Sequence, residues 1–518
     1  MLLLFMLSVL GDGCNFPQEP LQPENPVQSD DGGLSANDDA GADGGSNEPA
    51  DGGLSANDDA GADGGSNEPA DGGQAEPADG GQAACTASWR GDRQYGTLQA
   101  DETLSVWADE IGNVYTVGYE NGLVGQTNIE PAGDSRAVVT KHGPDGRVSW
   151  HRILDTSGTD TAEHLIRASE GHLYVVGRTT GSFNGFINRG QFDVFVVELD
   201  AEGQSVHVMQ SGDERPQHPS KLGLNAVGNL VIAGHDDLFV EHSQVMDSEN
   251  GFIGSYDLLS AAQQWLWRSA SLENPDRITG LAMNAPVSDA VYVSGFKFFG
   301  DKESLGGGFV RRYDLDGTQR WFTQIGFVAT EVDELLVSPE GGLFAAGSTQ
   351  LPSVGGQGQG LADAYVASLD PQTGVIRWVS KTGTPEHDLV SAFARGPTGD
   401  FYVAGDTFGA FPGYTNQGER DLFVLRFDSS GRLLSSWQQG TAERDHAAGL
   451  WVDSCNNVYL AGFTEGRLIG DSGPGGRDAF LMKVNMPSQA MPAFRVPIHR
   501  TTHPSTGKKG EALKGRER

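Results

Sequence analysis

One short pattern recurs seven times between Asn113 and Gly462, and it constrains the fold more than any other feature of the chain. Each copy is a run of aliphatic and aromatic residues that ends in glycine, such as NVYTVG, HLYVVG and DFYVAG. The closing glycines are Gly118, Gly177, Gly234, Gly295, Gly347, Gly405 and Gly462. Their spacings of 59, 57, 61, 52, 58 and 57 residues indicate repeated supersecondary units.

A second pattern follows each run after a glycine-rich gap. It is clearest as DVFVVELD, DAYVASLD, DLFVLRFD and DAFLMKVN, and weaker as GFIGSYD and GFVRRYD. A tryptophan often comes next, at Trp150, Trp267, Trp321, Trp378 and Trp437. Alternating apolar residues and turn signals predict four strands in each unit. In the first unit these are residues 104–108, 114–117, 137–141 and 147–154.

The count of strands predicts a closed ring. The second strand of a unit is apolar on both faces, as Tyr174, Val175 and Val176 show, which suits a sheet packed between two neighbours. The last unit has no fourth strand of its own after Val484, whereas CTASWRGD, from Cys85, matches a tryptophan-bearing fourth strand and precedes the first unit. We therefore predict an all-β fold, a seven-bladed β-propeller of four-stranded blades, closed by this N-terminal strand.

Composition divides the chain into four parts. Residues 1–14 resemble a signal or lipoprotein segment, and residues 15–84 contain a perfect tandem duplication with 16 acidic and no basic residues. So few large apolar residues cannot offset the entropy of ordering a chain, which predicts a disordered acidic linker. The propeller occupies residues 85–486, and a basic tail without periodicity, predicted to be disordered, follows at 487–518.

The first residues predict export. MLLLFMLSVL is too short to span a bilayer but has the length of a signal-peptide core. Gly13-Cys14 fits a lipidation site in which a small residue precedes the modified cysteine, although Gly11 stands where leucine is usual and no basic residue precedes the apolar run. We expect an outer-membrane or cell-surface lipoprotein anchored through Cys14, or alternatively a periplasmic or secreted protein.

The net charge of −35 includes −23 within residues 85–486, which disfavours nucleic acid as a partner. The expected partner is an envelope protein or a glycan, the membrane is reached through the lipid anchor, and the chain is expected to be a monomer.

The repeated units resemble the bacterial β-propeller repeat called SBBP, whose pattern combines a tryptophan strand, a glycine-rich turn, a GNVYVTG-like strand and a DAFVAKLD-like strand. Residues 85–486 carry the resemblance, and the last unit, with GLWVDSCNNVYLAGFT and DAFLMKVN, fits it best. The third and fourth units depart at the tryptophan, aspartate or turn positions. The resemblance implies the fold and an exported location and transfers no catalytic residue.

Three cysteines are present, Cys14, Cys85 and Cys455, and lipidation of Cys14 leaves one pair. Cys85 opens the closing strand, and Cys455 lies in the turn between the first two strands of the last unit. Both fall on the same face of the predicted ring, so we predict a disulfide between them; two buried free thiols are the alternative.

The candidate ligand-binding residues lie in loops on the opposite face. Long loops on a rigid scaffold often carry binding sites, and recurring acids occur there at Asp160, Asp333, Asp388 and Asp445. The alternative is that these carboxylates hold the loops by hydrogen bonds. The aspartates in the turns before the fourth strands are expected to be structural. No catalytic residue, metal site or cofactor is predicted, since neither a calcium loop nor a zinc-type Cys/His spacing occurs.

Three functions remain open from the sequence. The leading hypothesis is an exported, membrane-tethered binding scaffold at the cell envelope. The second is an exported hydrolase or lyase that acts on a saccharide-like substrate with carboxylates from several blades. The third is a structural envelope component without a small ligand. An enzyme needs unique groups from a few blades, and repeated acids favour the scaffold.

Overall fold

The computed structural model describes a domain built from β-strands. The described residues are 89–122, 135–168, 171–226, 228–238, 248–257, 260, 262–269, 276–283, 290–299, 304–326, 329–351, 360–470 and 476–487. They form 28 strands, which confirms the predicted all-β class. None of them belongs to a helix with the length and apolar content needed to span a bilayer.

The strands follow the predicted four-strand units. Sheet I contains β2 (Ala100–Ala108), β3 (Val114–Gly122), β4 (Arg136–His142) and β5 (Val148–Leu154). Sheet II contains β6 (Asp160–Arg167), β7 (Leu173–Thr179), β8 (Asp193–Leu199) and β9 (Ser205–Ser211). Sheet III contains β10 (Gln217–Leu224), β11 (Leu230–Leu238), β12 (Ser248–Tyr256) and β13 (Gln263–Arg268). Sheet IV contains β14 (Asp276–Ala282), β15 (Ala290–Phe299), β16 (Ser304–Asp314) and β17 (Gln319–Ile325).

The remaining units complete the series. Sheet V contains β18 (Glu334–Val337), β19 (Leu343–Thr349), β20 (Asp363–Leu369) and β21 (Ile376–Thr382). Sheet VI contains β22 (Asp388–Arg395), β23 (Phe401–Thr407), β24 (Asp421–Phe427) and β25 (Leu433–Gln439). Sheet VII contains β26 (Asp445–Val452), β27 (Val458–Thr464), β28 (Asp478–Val484) and β1 (Arg93–Tyr95). Successive strands within each sheet pair antiparallel. Sheets III and IV are joined by one parallel bridge, between Asn250 and Asp276, into an eight-stranded sheet.

We call the edge where the first strand of a sheet begins its upper edge, and the edge with the turn between the first two strands its lower edge. The second and third strands are buried along their length, as in β7, β8 and β27, whereas fourth strands such as β5 alternate between exposed and half-buried positions. The double-sided burial of the second strand is as predicted, because neighbouring sheets pack on both faces.

The first described strand is displaced from its predicted position. We predicted the closing strand at CTASWRGD, but β1 comprises Arg93–Tyr95 and pairs antiparallel with β28. Trp89 lies before it and packs edge-on against Tyr459, with ring centroids 5.1 Å apart. The match of Trp89 to the other tryptophans was therefore wrong, since this indole packs outside the strand.

Tryptophans of the fourth strands connect one sheet to the next. Trp150 of β5 donates from Nε1 to the carbonyl of Ala201, in the last turn of sheet II, at 3.2 Å. A Cβ on Gly203 of that turn, which has φ of 76°, would lie 2.9 Å from the Trp150 ring. Trp321 makes the same kind of bond to Pro371, also at 3.2 Å. In sheet III Trp265, rather than the predicted Trp267, takes this position and donates to Leu315.

Candidate functional site

Three of the four predicted loop acids are internal structural groups. Asp160, Asp388 and Asp445 begin the first strands of their sheets and are 0% exposed. Each accepts hydrogen bonds from the backbone N–H and hydroxyl of a threonine four residues earlier. In sheets VI and VII a threonine at the end of the second strand also donates, Thr407 to Asp388 and Thr464 to Asp445. We call this arrangement the Thr–Asp clasp.

The carboxyl groups in the clasps of Asp160, Asp388 and Asp445 have raised pKa values. Burial raises the pKa of Asp388 to about 7, although the threonine bonds partly oppose this. Burial likewise raises the pKa of Asp160 and of Asp445 to about 6. Since all three side chains are buried and hydrogen-bonded within their own loops, they fasten the upper edge of each sheet. The alternative raised for these acids, that they hold the loops, is the one that the geometry supports.

Asp333 differs because it does not pair with the end of the second strand of its sheet, as Asp388 does. Thr330 forms the bridge to Thr349, at the end of β19, in the place where Asp388 pairs with Thr407. Asp333 therefore lies three positions further along and has no clasp. Its carboxyl is enclosed, and burial, followed by the charges of Glu331 and Glu334, raises its pKa well above the ordinary value.

Sequence reasoning missed a fourth clasp and the signal that identifies all of them. Asp101 in β2 accepts from the backbone N–H and hydroxyl of Thr97. The shared signal is a threonine four residues before the aspartate at or next to the start of the first strand. Asp333 lacks this spacing, because Ala329 stands four residues before it and the nearest preceding threonine, Thr330, is only three residues away.

A different group of charged side chains meets at the upper edges of sheets VI, VII and I. His446 of β26 directs Nδ1 toward Asp406 Oδ2 at 2.7 Å, and the other oxygen of Asp406 accepts from the Ala447 N–H at 2.9 Å. Asp406 is 2% exposed, whereas the His446 side chain is 32% exposed. Burial lowers the pKa of His446, but the adjacent Asp406 carboxylate and Glu102 outweigh it, so the pKa is raised.

Three arginines lie near this histidine, two of them against its neighbour Phe463 and the third, Arg420, over Phe408 at 4.8 Å. We call Arg420, Arg444, Arg477 and His446 the arginine cluster. The Arg477 guanidinium lies 4.1 Å from the centre of the Phe463 ring and that of Arg444 lies 5.9 Å from it, distances at which cations are attracted to aromatic faces. The His446 ring lies 5.2 Å from the same centre, because His446 and Phe463 are directly opposite in the ladder between β26 and β27.

Carboxylates partly balance the cluster. Arg420 lies 3.9 Å from Asp406, Arg444 3.7 Å from Glu465, and Arg477 3.5 Å from Glu465 and 3.9 Å from Glu102. Glu102 in turn accepts from the Tyr119 hydroxyl at 3.1 Å. The cluster and its carboxylate partners thus draw on three sheets and differ from unit to unit, unlike the repeated clasps. Individual sequence signals for it are weak, since each arginine simply precedes a strand.

Two concave surfaces lie at the lower edges. The larger, about 550 Å³, lies between sheets V and VI and is lined by Phe344, Arg377 and Arg395 among others. The smaller, about 200 Å³, contains Trp107, Trp451 and Arg167. In the part of the chain that the structure describes, no three His, Cys, Asp or Glu side chains are grouped to hold a metal ion.

The cysteine predictions are not tested. Cys14 and Cys85 lie outside the described residues, as do the acidic linker and nearly all of the basic tail. Cys455 is half-buried in the turn between β26 and β27, as predicted, and its N–H donates to Asp453 Oδ1 at 2.9 Å. The Cys85–Cys455 disulfide stays a prediction.

Comparisons with known proteins leave the function open. No protein-family model matches the chain, and no curated protein matches it, so the SBBP resemblance stays a prediction. A structure of the Dos1 propeller has a TM-score of 0.43 and 10% identity over 75% of this chain and 95% of that one. Sqt1 from Chaetomium thermophilum has a TM-score of 0.43 and 11% identity over 76% and 98%. The quinohemoprotein alcohol dehydrogenase from Comamonas testosteroni has 0.38 and 12% over 74% and 68%.

Proposed function

We propose that the domain is a seven-bladed β-propeller, with sheets I to VII as blades and β1 as the strand that completes the last blade. The contacts between first strands support this: β2 contacts both β6 and β26, and the series continues through β10, β14, β18 and β22 back to β26. The pairing of β1 with β28 links the two ends of the domain. A ring of this kind leaves few exposed strand edges.

On this scaffold we propose a binding function: an exported, membrane-tethered protein that presents the upper face of the propeller to a ligand at the cell envelope. The observation that carries the proposal is the arginine cluster, a partly exposed, irregular group of charges on a face otherwise fastened by buried clasps. The SBBP resemblance and the predicted Cys14 lipidation support export and tethering. A disulfide from Cys85 to Cys455 would join the start of the domain to blade seven.

A second function, a hydrolase or lyase acting on a saccharide-like substrate, is favoured by one observation. Asp406 orients His446 through Nδ1, which leaves the other ring nitrogen available for proton transfer. A histidine positioned in this way by a buried carboxylate is a common general acid or base. The binding proposal takes precedence because the described residues place no second catalytic group in a defined relation to His446.

The test is a binding screen of the full chain against glycans and envelope components, repeated with His446→Gln and with Arg444→Gln. We expect at least one ligand whose binding weakens in a variant of the upper face, and no product formation on prolonged incubation. Product formed by the parent protein and lost in His446→Gln would instead establish the enzyme. A folded protein that binds none of the components would refute the binding proposal and leave a structural role.

A further inference from the structure

We propose that the arginine cluster binds an oxyanion, the carboxylate, sulfate or phosphate group of the ligand. This inference rests on the proposed binding function and names the ligand chemistry of the same face. It does not depend on the identity of the remainder of the ligand.

The first argument is that two cationic side chains leave adjacent backbone positions. Arg420 and Arg444 form a parallel backbone bridge, and the N–H of Asp445, next to Arg444, donates to the Arg420 carbonyl at 3.2 Å. Their side chains therefore start from adjacent positions. Burial lowers the pKa of Arg420, Asp406 opposes this, and the charge of Arg444 lowers it further. An anion placed between two neighbouring guanidinium groups would relieve this repulsion.

The second argument is that guanidinium N–H groups of the cluster lack close hydrogen-bond acceptors. The ion pairs of its three arginines, 3.5 to 3.9 Å, are longer than ordinary hydrogen bonds. Arg444 Nε is buried and has no hydrogen-bond partner, and a buried donor without a partner carries a free-energy cost. An oxyanion supplies several strong acceptors to a guanidinium, which presents its N–H groups in a planar fork.

The third argument is that the acceptors of the cluster are largely occupied, which disfavours a cation. Asp406 accepts from His446 and from the Ala447 N–H, and Glu102 accepts from Tyr119. Glu465 is shared between Arg444 and Arg477, and Glu419, next to Arg420 in the sequence, raises the pKa of that arginine. The carboxylates of the site are thus engaged with its own cations and neighbouring donors, which disfavours a cation as the ligand.

The groove at the lower edges of sheets V and VI provides a contrast within the same molecule. Arg395 donates to both carboxylate oxygens of Glu340 at 3.2 Å, and Arg377 donates to Asp370 at 2.7 Å. These arginines are already bound to carboxylates at hydrogen-bonding distance. Arg377, which is 50% exposed, is a matched control because its replacement removes the same charge from the opposite edge.

The experiment is isothermal titration of the full chain with sodium phosphate, sodium sulfate and galacturonate, with galactose as the uncharged comparison. We expect at least one of the three anions to bind, galactose not to bind, and binding to weaken as salt is added. The anion that binds most tightly distinguishes a phosphate or sulfate source from a uronic acid. The same titrations are made with Arg444→Gln, Arg420→Gln and Arg377→Gln, each checked for unchanged thermal unfolding.

We expect affinity to fall at least about tenfold in Arg444→Gln and in Arg420→Gln, since each removes charge-assisted hydrogen bonds, and to stay unchanged in Arg377→Gln. Should Arg444→Gln fail to fold, Arg420→Gln alone decides. The inference is overturned if no anion binds the parent protein, or if the cluster variants bind as tightly as Arg377→Gln. An envelope ligand found in the screen that binds Arg444→Gln and Arg420→Gln normally would leave the binding function standing and remove the oxyanion site.

Discussion

At the scale of single residues, the Thr–Asp clasp makes the stability of the fold depend on pH. Burial raises the pKa of Asp388 from 3.8 to about 7, so the folded state holds the carboxyl proton more tightly than the unfolded state. This contribution to stability is fully present below about pH 4 and is lost as the pH rises through about 7. We therefore expect Asp388→Asn, which cannot ionise, to flatten the fall in the free energy of unfolding over this range, measured by urea denaturation.

The control is Asp370→Asn. Asp370 lies in an exposed turn, and hydrogen bonds from Arg377 and Thr373 lower its pKa to about 2, so it does not titrate between pH 4 and pH 7. Its replacement should leave the slope of stability against pH as in the parent protein. Parallel curves for the parent and Asp388→Asn between pH 4 and pH 8 would contradict the assignment of a raised pKa to this clasp.

The sequence supported the positions of the loop acids but not their role. The repeat placed Asp160, Asp388 and Asp445 in the loops before the first strands, whereas each is the first residue of its strand, and their burial depends on how the preceding loop folds back. The arginine cluster was harder to foresee, because its members and their carboxylate partners come from three sheets whose contact depends on the whole domain. Asp333 was misplaced by simple alignment, since its ladder puts Thr330 at the corresponding position.

At the scale of elements, one glutamine fastens the long loop between the second and third strands. Gln438 of β25 accepts from the Phe411 N–H at 2.8 Å and donates to the Gly409 carbonyl at 3.0 Å and to Asp421 at 2.8 Å. Gln210 has equivalent bonds in sheet II, and Gln94 of β1 has them in sheet VII. We call this arrangement the glutamine clamp.

Replacing Gln438 by leucine keeps the side-chain volume but removes three buried hydrogen bonds and leaves the Phe411 N–H without a partner. Since an unsatisfied buried polar group costs about 1–3 kcal/mol, we expect the free energy of unfolding to fall by roughly 2 kcal/mol or more. Backbone amides at residues 409–420 should also exchange faster with deuterium. The neighbouring Gln439→Leu is the control, because that amide makes one long bond, 3.4 Å to Leu468. Equal effects of the two changes would show that the clamp does not stabilise the loop.

Most strands and turns could be predicted from the sequence. Period-two alternation and Asp-Gly turns located the strands of sheet I to within a few residues, and the turn aspartates Asp145, Asp200 and Asp428 accept turn N–H groups as expected. The strand that pairs with β28 was misplaced because tryptophan was taken as its marker. The glutamine clamp is the better marker, since Gln94 takes the place in β1 that Gln438 has in β25.

At the scale of the whole molecule, the proposed ring depends on a strand of three residues. Arg93, Gln94 and Tyr95 of β1 pair with Leu481, Phe480 and Ala479 of β28. Gln94 also receives the Leu468 N–H and donates to Gly466, both in the loop before β28. This short segment therefore covers the edge of the last sheet and holds the neighbouring loop, so its contribution exceeds what three backbone pairs suggest.

Removal of residues 89–95 tests the closure directly. The deletion uncovers the edge of β28 and leaves Asp478 without the Gln94 amide, so we expect a thermal midpoint lower by several degrees and concentration-dependent association through the exposed edge. Deletion of residues 15–84 shortens the chain without touching β1 and should change neither quantity. If both deletions unfold at the same temperature and stay monomeric, β1 does not close the domain, and the seven-bladed ring must be replaced by an open arrangement of sheets.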